Sequence, residues 1–163
     1  MNGFDSLFLF KELEKDNVWW SGGVVSKDLA REFKRSDYFS FRERLLESDY
    51  VNIIIGPRRV GKSTMLYQLV DYLISEKNVP RNRILFASLE RAAFDVTVNP
   101  VKSALAVYEE YVLKESLADL SEPIYVFLDE ASRRSNWALE VKEYVDRKYK
   151  IKFYIKYQKY YYL

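Results

Sequence analysis

The eight residues Gly56-Pro57-Arg58-Arg59-Val60-Gly61-Lys62-Ser63 fit the pattern G-x-x-x-x-G-K-[ST] without a mismatch. That spacing suits the wrapping of a polyphosphate. A chain of phosphates needs several donors converging on a small anionic volume. Glycine lets backbone N–H groups curl inward where a Cβ would collide. A helix beginning near Gly61 adds unpaired N–H groups and the positive end of its dipole. Lys62 then reaches the β- and γ-phosphates as a point charge. The Ser63 hydroxyl can ligate Mg²⁺, and Thr64 can bond the α-phosphate. Arg58 and Arg59 fill variable positions of the pattern and read as a solvated loop face.

A second cluster lies downstream. Ile124-Tyr125-Val126-Phe127-Leu128 runs straight into Asp129-Glu130. Carboxylates at the carboxyl end of a buried strand sit where open α/β sheets bind ligands. If that strand lies near the first, Asp129 holds Mg²⁺ through water. Glu130 points elsewhere, because strand side chains alternate, and can accept a proton from an attacking water. The chain has no His, which removes the commonest general base, so a carboxylate is the natural one. It has no Cys either, which excludes disulfides, thiol catalysis and Cys-ligated metal.

These residues need a strand before each cluster and a helix after the first, and the pattern supplies them. Val51–Ile55 is a short β-branched run ended by Gly56-Pro57. From Gly61 to Ser75 the apolar residues Met65, Leu66, Leu69, Val70 and Leu73 fall at helical spacing. Ile84–Leu89 reads as a second strand, Val101–Val112 as a helix and Ile124–Leu128 as the third strand. Trp137, Val141, Tyr144 and Val145 mark another helix, in which Trp137 packs into the core, and Ile151–Ile155 reads as a fourth strand. Strands alternating with helices predict a three-layer α/β domain with a mostly parallel sheet. The first fifty residues lack a clear period, with one or two short helices between 26 and 48. Residues 1–50 thus form an N-terminal segment packed on a core of 51–155, followed by a tail, 156–163.

Composition bounds the partners. The 163 residues carry 26 basic and 24 acidic side chains, too even a balance to argue for nucleic acid. The charge is uneven: from Lys142 to Leu163 there are seven basic and two acidic residues, a net +5, with seven of the fourteen tyrosines. A Lys/Tyr-rich end could meet nucleic acid by phosphate contact and stacking. We favour a solvated or locally packed terminus. No apolar run approaches the roughly 20 residues of a membrane span, and the N-terminus lacks a secretory pattern, so a cytoplasmic location is expected.

Taken together, the chain resembles the archaeal-type AAA-like P-loop ATPases, whose full-length forms add a C-terminal domain of unknown function. The resemblance runs from Trp19-Trp20 through the loop block Gly56–Leu69, the strand Ile84–Leu89, Phe127-Leu128-Asp129-Glu130, Asn136-Trp137 and Asp146-Arg147-Lys148-Tyr149. It implies ATP and Mg²⁺ binding by Gly56–Thr64, with Lys62 and Glu130 in catalysis and Ser63 and Asp129 toward the metal. It also implies a sheet order of fifth, first, fourth, third, second strand. The chain departs from the family at Ala131-Ser132-Arg133-Arg134-Ser135, which has neither the usual Gln nor the Pro, and again after Ile155. A small polar sensor residue and a Gly/Ser turn give way to Lys156-Tyr157-Gln158, and a fifth strand and an arginine finger have no counterpart. The first strand then becomes an edge, which the N-terminal segment, the tail or another chain should cover.

Three functions follow as alternatives: ATP hydrolysis, a nucleotide-binding regulatory or interaction module with little turnover, and a small-molecule kinase, against which the Asp-Glu pair argues. Trp19 and Trp20 either flank an adenine or pin the N-terminal segment to the domain. Arg133 and Arg134 either sense phosphate in a neighbouring subunit or form a solvated basic turn.

Overall fold

A computed structural model describes residues 3–36, 38–49 and 51–158. The β-branched and aromatic runs form four strands, β1 (Asn52–Ile55), β2 (Ile84–Ser88), β3 (Ile124–Asp129) and β4 (Ile151–Tyr157). All their pairings are parallel, in the order β1-β4-β3-β2. This is the order the resemblance implies, with β1 outermost. The helices are α1 (Gly3–Asp16), α2 (Lys27–Ala30), α3 (Tyr38–Glu47), α4 (Lys62–Ser75), α5 (Pro100–Tyr108) and α6 (Trp137–Asp146). A π-helical turn, Glu109–Leu113, continues α5.

Strand alternation sorts the sheet's side chains into two cores. Ile54, Ile84, Phe86, Phe127 and Tyr154 face α2, α3 and α4, meeting Leu45, Leu66, Leu69, Val70 and Leu73. Leu85, Ala87, Val126, Leu128, Phe153 and Ile155 face α1, α5 and α6, meeting Leu9, Leu13, Val101, Leu105 and Val141. The result is three layers. Truncating a fully buried α4 leucine such as Leu69 to Ala would cost about 2–5 kcal/mol. A row of stacked rings, Tyr67–Phe86–Phe127–Tyr154, crosses the sheet beneath α4 with centroids 4.4, 6.3 and 4.8 Å apart.

The N-terminal segment contains a helix that the sequence reading missed. In α1, Leu9 and Leu13 are buried one turn apart, while their apolar neighbours Leu7 and Phe8 are exposed, which blurs the period. The segment covers a sheet edge, but the opposite one to that expected. Asn17 is buried and exchanges hydrogen bonds with the Phe86 backbone, and the Trp19 and Trp20 Nε1 groups both donate to the Ile84 carbonyl of β2. Among the described residues no strand pairs with the outer side of β1, and Ile53 and Ile55 are 47% and 63% exposed. The tail residues 159–163 lie outside the described residues. No helix among the described residues is long and apolar enough to cross a membrane.

Candidate nucleotide site

The pattern G-x-x-x-x-G-K-[ST] becomes a loop from β1 into α4. Gly61 is the residue before the helix, at φ +87°, a left-handed conformation that a side chain would strain. It offers no side chain to cap the helix, so the first turn of α4 opens with its N–H groups facing the loop. Arg59 is also left-handed, at φ +62°. Gly56 differs: a Cβ there would meet Lys62 Cδ and Val60 Cγ2 at an ordinary 3.7 Å.

A cavity of about 610 Å³ opens over this turn. Arg58, Arg59, Gly61, Lys62, Ser63 and Thr64 line it from the loop, with Glu130 and Arg133 from beyond β3. Arg31, Glu90, Lys156 and Gln158 complete the wall, and sequence reasoning picked out none of these four. Six basic side chains face two acidic ones there, a composition that favours a polyanion. Arg31 is set in place by α4: Gln68 Nε2 donates to the Arg31 and Phe33 carbonyls at 3.3 and 3.1 Å. Lys62 is buried and folded onto its own loop, where Nζ donates to the Gly56 carbonyl at 2.6 Å and to that of Pro57. Burial lowers its pKa below the usual lysine value, and the nearby Lys156 charge adds to this against the opposing pull of Glu130 and Asp129.

The acidic pair meets the loop through a residue that the sequence reading placed in the tail. Strand β4 continues through Tyr157, so Lys156 is a strand residue. It lies between β1 and β3, opposite Ile54 and one step beyond the Leu128–Ile155 pairing. Alternation from Phe127 and Tyr154 puts Asp129 and Lys156 on the α4 face. There the Lys156 ammonium lies 2.8 Å from Ser63 Oγ, 2.8 Å from Asp129 Oδ1 and 2.6 Å from Glu130 Oε1. Burial works to lower the Lys156 pKa. Its hydrogen bonds and charge contacts with Asp129 and Glu130 outweigh that and hold it above the usual lysine value.

Two expectations change here. Glu130 does not diverge from Asp129. Its backbone turns left-handed, at φ +53° and ψ +37°, and this returns its carboxylate to the same ammonium. Nor does the arrangement fit Mg²⁺ on Ser63 and Asp129. Three oxygens that could ligate a divalent cation are all engaged with an ammonium, and a second cation among them would meet its repulsion.

The remaining candidates also make structural contacts. Trp19 and Trp20 do not line this cavity, although Trp19 lines an adjoining one with Ser63 and Asp129; both pin the N-terminal segment to β2, and Trp20 stacks between Phe10 and Tyr108. Arg134 ties neighbouring loops, donating to the Leu89 and Arg91 carbonyls and to Asp95. Trp137 packs beside the α1/α5/α6 core with Tyr157 at 6.0 Å.

A family model described as an AAA domain matches residues 48–156, about two thirds of the chain, spanning the loop, the acidic pair and Lys156. The chain belongs to the AAA domain family. The match assigns the fold and the nucleotide-binding character of the AAA domain. An uncharacterized protein of Haemophilus influenzae is 27% identical over 103 residues, 63% of this chain and 24% of that protein. The AAA chain thus aligns with about a quarter of its relative's length. No solved structure matches it.

Proposed function

We propose that this AAA domain binds ATP in the loop Gly56–Thr64, and that ATP hydrolysis to ADP and phosphate is the reaction of the site. The observation that carries the reading is the uncapped opening of α4 at Gly61 beneath a cavity lined by six cations. The loop amides would hold the β- and γ-phosphates, and Lys62 would leave its own carbonyls to neutralise them. Glu130 would orient the attacking water and take its proton. The choice of ATP rests on the sequence, which lacks the Asn/Thr-Lys-x-Asp pattern that reads guanine. A place among the archaeal-type members, a C-terminal domain, and self-association or further chain at β1 belong to the same proposal. The motif blocks support the first two, and the exposed Ile53 and Ile55 support the third.

One observation favours a second reading, a nucleotide-binding regulatory or interaction module with little or no turnover. The carboxylate that would take the proton is ion-paired with Lys156 at 2.6 Å, so the ammonium occupies an oxygen that an attacking water would need. Binding of a fluorescent ATP analogue and release of phosphate separate the two. Phosphate release that disappears in Glu130→Gln while binding persists supports hydrolysis. Tight binding without release in the unaltered chain supports the module. No binding by the unaltered chain removes both.

A further inference from the structure

We propose that the Lys156 ammonium takes the place of a divalent cation in this site, so that the chain engages a nucleotide polyphosphate without metal. The proposal takes its ligand from the nucleotide reading, but the ammonium's position stands apart from it.

Three features support it. The first is position. β4 lies between the strand that leads into the loop and the strand that leads into the acidic pair, so Lys156, near its end, is within reach of both. The second is the donor set. Ser63, Asp129 and Glu130 come from two separate segments of the chain, and each gives an oxygen to the same nitrogen at 2.6–2.8 Å. Those are ammonium hydrogen-bond lengths. The third is charge. Asp129 and Glu130 balance Lys62 and Lys156 one for one, and Lys156 is only 7% exposed. A divalent ion added to that set would leave it two charges in excess before any phosphate arrived.

The consequence is a nucleotide site whose bridging charge is built into the chain. Removing it should expose two carboxylates and a hydroxyl that lack a counter-cation, which is a donor set for a hard metal.

The test pairs two measurements on the full chain. In the first, a fluorescent ATP analogue is titrated in excess Mg²⁺ and in EDTA. The unaltered protein should bind equally in both, within about twofold, whereas Lys156→Ser should bind at least about tenfold more weakly in EDTA than in Mg²⁺. In the second, Mn²⁺ alone is followed by electron paramagnetic resonance. Lys156→Ser should bind one Mn²⁺ at concentrations where the unaltered protein binds none, and adding Asp129→Asn should abolish it. If the serine variant fails to fold, Lys156→Met, which keeps the apolar stem, replaces it. The unaltered protein's own comparison in EDTA needs no variant.

A tenfold or larger loss of nucleotide binding by the unaltered protein in EDTA would overturn the proposal. So would Mn²⁺ binding by the unaltered protein as tight as by the variant. If no nucleotide binds in either buffer, the functional reading and the metal-free engagement fall together. The Mn²⁺ titration would then show separately whether Lys156 fills a cation's position.

Discussion

Asn17 and Phe86 exchange a reciprocal pair of hydrogen bonds at the edge of the sheet. The Phe86 N–H donates to Asn17 Oδ1 and Asn17 Nδ2 donates to the Phe86 carbonyl, both at 2.7 Å. One side-chain amide therefore serves β2 as a neighbouring strand would, and blunts that edge against pairing with other chains. Asp16, next in line, holds Arg91 through both carboxylate oxygens and locks the end of α1 over the same strand.

Asn17→Leu should accordingly be costly, because it strands a buried N–H and a buried carbonyl at once. The expected loss is about 2–4 kcal/mol in urea unfolding. A loss under about 0.5 kcal/mol would show that the pairing contributes little.

Lys62→Ala should leave the far-ultraviolet circular dichroism unchanged and weaken binding of a fluorescent ATP analogue by at least about tenfold. The loss is a charge-assisted contact to phosphate rather than a structural support. Equal affinity in the two proteins would detach the loop from nucleotide binding.

Glu140 gives a pH signature outside the nucleotide site. It is buried in α6, its Oε2 accepts the Lys102 N–H at the start of α5, and its Oε1 has no partner. Burial raises its pKa above 4.5, against the lowering effect of the Lys102 and Val101 backbone and the Lys102 charge. The folded state therefore holds the proton more tightly than the unfolded chain. Above the folded pKa the charged form is buried at a cost, and this cost fades as pH falls toward 4.5. Glu140→Gln keeps an acceptor for Lys102 and loses the charge. It should be more stable than the unaltered chain near neutrality, and in urea unfolding the advantage should shrink as pH falls toward 4.5 and be lost below it. An advantage that grows in acid would contradict this.

Ile53→Lys with Ile55→Lys should not disturb folding, since both side chains are largely exposed; the expected change is within about 0.5 kcal/mol. Concentration-dependent association, followed by sedimentation velocity, should fall, because charge on an outer strand discourages strand pairing. Association that persists in the double variant would place the contact on another surface.

The strands and α4 were legible because each is a local pattern: β-branched runs such as Val51–Ile55, or leucines three and four apart from Leu66 to Leu73. The loop was legible because its chemistry fixes residue types at fixed spacing. Helix α1 was obscured by the surplus apolar pair Leu7 and Phe8. Lys156 was missed for a different reason. Its role depends on β4 being inserted between β1 and β3, a long-range fact, and its Lys/Tyr-rich neighbourhood resembled a terminus. The convergence of Glu130 on that ammonium depended on a left-handed turn at a non-glycine residue, which no propensity marks.

The outermost place of β1 ties the phosphate loop to the margin of the fold. Its backbone is stitched to β4 along a single seam, and among the described residues no strand pairs with the other flank. Anything that grips the loop therefore also fastens that seam, adding its binding free energy to the resistance of the strand against local fraying. Ligand occupancy should thus be readable far from the ligand, as slowed deuterium uptake along Asn52–Ile55, before any change in the melting of the rest of the molecule.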